Sequence, residues 1–368
     1  MYRSMAAICD APNTPLRIAE ILVAPPQAGE VLVELAATGL CHTDLTALDG
    51  LNPSVVYPLI AGHEGAGRVV EIGPDVTGLE VGDHVIPLYG PECGICSMCR
   101  SARTNLCWSI KKTRDAGVMP NGTARFSDGS GPIHHFMGTS TFSRLTVVPE
   151  IALAKIRKDA PLQEVCLFGC GVTTGVGAAL VNVQHGDRVV VFGLGGIGVN
   201  AIQGARIAGA RQIIGVDISS NKTALSNSLG MTDFINATDT DDVVTAIRDL
   251  TDGGADVAIE CTGVLRVMRQ SIDAARPAWG KAVLLGVEAP GSELSFPPVD
   301  VRYGKIIEGS YFGGIKGRSG LGRLIDLYMT GEISLSGQIT HKLTLEEINT
   351  GFDLMKAGES VRSVVHFE

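Results

Sequence analysis

The chain has 368 residues, 45% apolar and 19% charged, which is the balance of a globular protein rather than a disordered one, at a length that suggests two domains. A formal net charge of −9 argues against the electrostatic footprint of a nucleic-acid binder. No stretch reaches the roughly 18 uninterrupted apolar residues of a membrane span, so neither nucleic acid nor membrane is expected as a partner. Aromatic residues are only 5% of the chain, which leaves the core to Val, Ile, Leu and Ala.

Met1–Asp10 is short and mixed, with no apolar core or small-residue cleavage site, so a reducing, cytoplasmic setting is expected. As far as about residue 170 the chain is punctuated by Gly and Pro. Short alternating runs such as Glu30-Val-Leu-Val-Glu-Leu and Arg68-Val-Val-Glu-Ile suit antiparallel strands. Between Pro91 and Trp108 lie Cys93, Cys96, Cys99 and Cys107. Four thiolates at this spacing can close tetrahedrally on one zinc ion with no position left open. Two disulfides are the competing reading, but clustered cysteines in a reducing compartment more often bind metal. Further soft donors are Cys41, His63 and Cys170. Taken singly each reads as a small buried residue or a satisfied histidine. Cys9, Cys166 and Cys261 sit among apolar neighbours and read as core.

From about Val172 the pattern changes to apolar strands alternating with helical stretches. Arg188–Gly193, Gln212–Asp217, Ala255–Glu260 and Lys281–Val287 read as strands of a parallel sheet, and Ile197–Ala208, Lys222–Leu229 and Asp241–Leu250 as helices. The first strand runs into Gly193-Leu-Gly195-Gly196-Ile-Gly198, and Asp217 ends the second, nineteen positions beyond Gly198. Strand, glycine turn, helix, strand and acid together match the dinucleotide fingerprint, whereas a lone glycine motif would be weak. A carboxylate at Asp217 suits ribose hydroxyls and repels a 2′-phosphate, which favours NAD over NADP. Past Phe312-Gly-Gly, Leu321–Thr330 and Leu345–Lys356 read as helices and Val361–Phe367 as a strand. This stretch is too short for a domain of its own.

Cys41-His-Thr-Asp44, Gly62-His-Glu-Gly-Ala-Gly67, the four-cysteine lobe, His135-Phe-Met-Gly-Thr-Ser-Thr-Phe-Ser143, Gly169-Cys-Gly-Val-Thr-Thr-Gly175 and the Gly193 fingerprint occur in the order seen in zinc-dependent medium-chain alcohol dehydrogenases. The resemblance runs nearly end to end and is nearest to the class III branch, the S-(hydroxymethyl)glutathione dehydrogenases, through residues 137–143 and Gly351-Phe-Asp-Leu-Met355. It implies an α/β protein: a GroES-like, mostly β catalytic domain over 1–171, with the zinc lobe at about 91–108, a doubly wound Rossmann domain over 172–311, and a return of 312–368 to the catalytic domain. It implies a homodimer or homotetramer and a catalytic site in the cleft between domains.

For the chemistry, the resemblance implies two zinc ions per chain. One is structural; the other is held by Cys41, His63 and Cys170 with one position open, where a Lewis acid lowers the pKa of an alcohol before hydride passes to NAD. Thr43 resembles the hydroxyl that takes the substrate proton, Asp44 the carboxylate that orients the histidine, and Glu64 an acid just behind the metal. His42 and Arg362 match positions that meet the coenzyme pyrophosphate, Lys222 one near the adenosine ribose, and Thr174 and Val287 ones that line the nicotinamide. Thr46 stands where several members carry a relay histidine, which leaves the proton exit open.

Tyr89 and Met137 match positions facing the substrate channel. The class III branch holds the charged ends of glutathione with two acids and an arginine, and this chain carries Asn52, Ser54 and Lys111 at those positions. Two lost carboxylates and a Lys in place of a bidentate Arg weaken charge-assisted recognition. The sequence thus favours a neutral primary alcohol or aldehyde, with the glutathione adduct as the alternative. A third possibility is a zinc-binding protein without activity on a dehydrogenase scaffold.

Overall fold

The computed structural model describes residues 1–101 and 105–367, so residues 102–104 of the cysteine lobe lie outside the described part. The chain divides into two compact units. One comprises Met1–Cys170, Lys316–Gly331 and Leu335–Glu368, and the other Gly171–Ile315 with Glu332–Ser334.

The first unit is mostly β. Strands Tyr2–Cys9, Arg17–Val23, Phe126–Ser127, Pro132–His135 and Leu59–Ile60 close a small barrel. Its core is built from aliphatics with a few aromatics, Phe126, Phe136 and Phe142 among them. A second, seven-stranded sheet is centred on Glu30–Gly39, which pairs antiparallel with Glu64–Ile72, Leu145–Pro149 and Arg362–His366. Buried and exposed positions alternate along part of Glu64–Ile72, the period-2 pattern of a half-buried strand. The C-terminal strand Arg362–His366 joins this sheet in the middle rather than at its rim.

One register detail in this sheet positions the metal ligands. Gly39, the last residue of its strand, pairs with Glu64, the first residue of its own. Cys41 follows the one end by two residues and His63 precedes the other by one, so antiparallel pairing delivers both ligands to the same sheet end. A Cβ on Gly39 would fall 2.4 Å from Glu64 Oε2 and 2.7 Å from Leu167 Cδ2, so only glycine permits this approach.

The second unit is a six-stranded parallel sheet in the order Asp233–Asn236, Gln212–Asp217, Arg188–Phe192, Val257–Glu260, Lys281–Leu284, Ile306–Gly309. Numbered along the chain this is 3-2-1-4-5-6, the doubly wound order of a dinucleotide-binding sheet. The central strands are buried on both faces, hence their unbroken Val and Ile runs. Observed elements differ from the sequence reading mainly at their ends. The helix expected from Asp241 starts at Val243, because Asp242 is its N-cap and accepts from the amides of Val244 and Thr245. The strand expected to reach Val287 stops at Leu284. The helix expected from Leu321 begins at Gly317, and the stretch from Leu345 opens with a 3-10 turn before the helix Ile348–Lys356. The longest helices that escape the sequence reading are Gly171–Asn182 and Leu265–Ala274, and shorter ones such as His42–Leu48 and Lys111–Asp115 escape it too. Among the described residues no single helix is long and apolar enough to cross a membrane.

Candidate metal and coenzyme sites

Cys41 is the N-cap of the helix His42–Leu48, with extended backbone at φ −135° and ψ 153°. Asp44 sits three residues on and turns its carboxylate back to the Cys41 amide at 3.1 Å, the reciprocal arm of a capping box. The same carboxylate accepts from the Gly62 amide at 3.0 Å and from His63 Nδ1 at 2.8 Å. Asp44 and His63 are both fully buried. Because Nδ1 donates to Asp44, the lone pair of His63 lies on Nε2, which is buried without a hydrogen-bond partner. A buried imidazole lone pair without a hydrogen-bond partner, beside two sulfurs, suits a metal ion.

The third ligand arrives through the 3-10 turn Cys166–Gly169. A Cβ on Gly169 would lie 3.1 Å from both the His63 carbonyl oxygen and Glu64 Cα, so glycine is what lets Cys170 close on His63. The donor atoms of Cys41, His63, Glu64 and Cys170 all lie within 4.8 Å of one another. Two sulfurs and one imidazole form the donor set of a catalytic zinc with an open fourth position. The contact between the two sulfurs holds the Cys41 thiol well below its ordinary pKa and drives that of Cys170 well above it, the behaviour of a pair sharing one proton. A zinc ion held here would displace that proton, with Cys41 and Cys170 both ligating as thiolates.

Glu64 is also fully buried and pairs with Arg362, whose guanidinium additionally donates to the Leu40 carbonyl at 3.0 Å. Burial raises the Glu64 carboxyl to about 7 against the pull of Arg362. The arginine expected at the coenzyme pyrophosphate is thus committed, in part, to the acid behind the metal ligands. His42 is exposed on the first turn of its helix, and Thr43 beside it is half-buried.

The four-cysteine lobe forms a second cluster, its sulfurs likewise within 4.8 Å of one another. The separations Cys93–Cys99 and Cys96–Cys107 are 3.9 and 4.0 Å, far beyond a disulfide bond, and all nine cysteines are free. Backbone amides of Cys96 and Cys99 point at the sulfurs of Cys93 and Cys96, each at 3.4 Å. These amides stabilise thiolate charge and offset the burial that opposes it at Cys93, whose pKa falls to about 6. Of the other cysteines, Cys9 and Cys166 are fully buried as expected, while Cys261 is half-buried.

In the second unit Gly193 has φ +85°, and a Cβ on Gly198 would lie 1.8 Å from the Gly193 carbonyl oxygen. Gly195 differs: a Cβ there meets nothing within 4 Å, so its backbone faces open space at the start of the helix Gly198–Ile207. Bare backbone before a helix N-terminus fits a pyrophosphate. Gly196 is held from within, its carbonyl accepting from Asn200 Nδ2 at 2.7 Å. Asp217 ends its strand with one carboxylate oxygen on the Leu194 amide at 2.6 Å and the other on the Ser219 amide at 3.0 Å. Lys222 is half-buried in the turn that follows, Val287 is exposed, and Thr174 is buried with its hydroxyl unpartnered.

Of the expected substrate positions, Tyr89 is buried and meets the His63 ring edge-on at 5.6 Å. Met137 is half-buried and holds φ +53°, a left-handed conformation uncommon for a residue with a side chain. Asn52 is taken up locally, accepting from the Ser54 amide at 3.0 Å, and Ser54 is exposed. Lys111 pairs with Asp115 one helical turn on. Two residues near the site escape the sequence reading. Phe136 lies 6.2 Å from the His63 ring, and Arg114 donates to the Tyr89 carbonyl at 2.8 Å. A lone Phe and a lone Arg carry no signal in a single sequence.

Purified wild type should hold about two zinc ions per chain. Cys170→Ala should remove one of them, and the activity, while circular dichroism stays that of a folded protein. Cys99→Ser should instead lower the melting temperature or the yield, because a closed four-thiolate site contributes directly to folding. Metal analysis giving one zinc per folded wild-type chain contradicts the two-site reading.

Comparison with known proteins agrees with these two sites. Residues 27–158 match the alcohol dehydrogenase GroES-like domain, and residues 196–327 match the zinc-binding dehydrogenase family. The chain is 50% identical over 376 residues to the alcohol dehydrogenase class-3 of Cereibacter sphaeroides, covering 99% of this chain and 100% of that protein. It is 49% identical over 373 residues to the S-(hydroxymethyl)glutathione dehydrogenase of Paracoccus denitrificans, covering 99% of each. The crystal structure of benzyl alcohol dehydrogenase from Acinetobacter calcoaceticus superposes with a TM-score of 0.93 at 31% identity, covering 100% of both chains. Closed and open cysteine sites, glycine turn and matching sequences converge: the chain belongs to the zinc- and NAD-dependent alcohol dehydrogenase family, in its class III branch.

Proposed function

We propose that the enzyme oxidises S-(hydroxymethyl)glutathione with NAD. The observation that carries this is near-complete, 48–50% identity to proteins named for that reaction or for class 3. It outweighs the preference for a neutral alcohol drawn from Asn52, Ser54 and Lys111. That preference remains the second reading, supported by those same residues and by the overlay on a benzyl alcohol dehydrogenase.

When bound, zinc supplies a Lewis acid for the substrate oxygen and NAD a hydride acceptor. The chain's own residues do the rest. Asp44 fixes the His63 tautomer and the Cys41 backbone, so two of the three ligands are oriented before metal binds. Tyr89 and Phe136 pack their rings against His63 and keep water from its far side. We assign Thr43 as the hydroxyl that takes the substrate proton; its place on the first turn behind Cys41 supports this. Gly193, Gly195, Gly196 and Gly198 are assigned to the pyrophosphate, Asp217 and Lys222 to the adenosine ribose, and Thr174 and Val287 to the nicotinamide. The unpartnered hydroxyl of buried Thr174 supports the last assignment.

Wild type should turn over S-(hydroxymethyl)glutathione with a higher kcat/KM than benzyl alcohol or a medium-chain primary alcohol. Asn52→Asp with Ser54→Glu should raise the adduct's kcat/KM further, mainly through KM, since contacts far from the reacting carbon bind ground and transition states alike. An enzyme that prefers the neutral alcohols by a large factor establishes the second reading instead.

NAD should be strongly preferred over NADP, and Asp217→Gly should narrow the margin by removing a carboxylate that repels the 2′-phosphate. Comparing kcat/KM for the two coenzymes checks this. A wild type that prefers NADP overturns the assignment.

A further inference from the structure

The charged residues next to Tyr89 and Met137 are arranged differently from what the family resemblance implies. Lys111 stands where a carboxylate-binding arginine would be expected, yet its side chain is 63% exposed and directed at Asp115. Arg114, three residues on, is only 16% exposed. Its Nη1 donates to the carbonyl of Tyr89, the residue whose ring meets the zinc ligand His63. Its stem passes Gly138, where a Cβ would come within 3.4 Å of Arg114 Cγ, next to Met137. Arg114 is therefore wedged between the two segments that carry Tyr89 and Met137.

From this placement we propose that Arg114, not Lys111, is the residue that engages a carboxylate on the substrate. The proposal rests on the reading that the substrate is anionic, as glutathione is. A guanidinium has five N–H donors. Nε and Nη2 share one Asp115 oxygen, at 3.2 and 3.1 Å, and Nη1 spends one hydrogen on Tyr89. One N–H on each terminal nitrogen is left uncommitted among the described residues, and each can donate to a carboxylate oxygen. Asp115 does not cancel this charge, because it is shared between Lys111 and Arg114, and Lys112 adds a further cation to the same short helix. The bonds to the Tyr89 carbonyl and to Asp115 hold the guanidinium in place before substrate arrives, so little side-chain entropy is lost on binding.

The test measures kcat/KM for wild type, Arg114→Gln, Arg114→Lys and Lys111→Gln. The substrates are S-(hydroxymethyl)glutathione, a straight-chain primary alcohol, and the same alcohol bearing a terminal carboxylate. Taking the ratio of carboxylated to plain alcohol on each protein cancels any general loss of folding. Arg114→Gln should lower that ratio by about tenfold or more, through KM, and Arg114→Lys should recover part of it. Added salt should shrink the ratio in wild type but not in Arg114→Gln. An unchanged ratio in Arg114→Gln, or a fall confined to Lys111→Gln, overturns the proposal. If wild type ignores the glutathione adduct yet shows the Arg114-dependent ratio, the glutathione reading fails and Arg114 stands. If the adduct is a good substrate and Arg114→Gln leaves its KM unchanged, the reverse holds.

Discussion

Three donors converge on the carboxylate of Asp44: the amides of Cys41 and Gly62 and the Nδ1–H of His63. Each bond does something different. The first caps the helix and fixes one zinc ligand, the second pins the segment that carries the next ligand, and the third decides which imidazole nitrogen offers its lone pair. Burial pushes the carboxyl's pKa up, and His63 together with the Gly62 amide pulls it back. Such a group is costly to bury unless it is fully hydrogen-bonded, and here it is. The catalytic site is thereby assembled from backbone geometry: sheet pairing of Gly39 with Glu64 brings the segments together, Asp44 locks them, and Gly169 admits Cys170.

The two cysteine clusters show how the same ligand serves two ends. In the lobe, amides pointed at sulfur favour thiolate charge near the surface, and the 316–319 segment ties the lobe down through Lys316 to the Cys99 carbonyl and Ser319 to Glu92. At the open site, half-buried Cys41 meets buried Cys170, with a buried acid and arginine behind them. Charge there is balanced within the site, Glu64 against Arg362, and the two cysteines as thiolates would balance a bound dication.

Much of this was legible in the chain. Short-range spacing carried the lobe, and the strand–glycine–helix–strand–acid series carried the coenzyme fold, because both are local and each residue has a stated physical task. Cys41, His63 and Cys170 are separated by 22 and 107 positions, and only the family resemblance joined them; the register that unites them is a property of the sheet. The helix Gly171–Asn182 was missed because ten of its twelve residues are buried, so it lacks the one-sided apolar stripe that marks a surface helix. Arg114 was invisible for another reason. Its position is defined by a backbone carbonyl and a glycine far away in sequence, and neither leaves a pattern.

The most direct measurement is zinc retention by Asp44→Asn under a fixed chelator challenge, read beside wild type. An amide at this position turns an NH2 group toward the Cys41 amide or toward Gly62 and His63, and so leaves a buried donor facing a donor. The predicted result is loss of one zinc per chain with affinity down roughly 10- to 100-fold, while the lobe keeps its own ion. Retention of both ions at the wild-type rate would contradict the account, since the open site would then be held without its buried carboxylate.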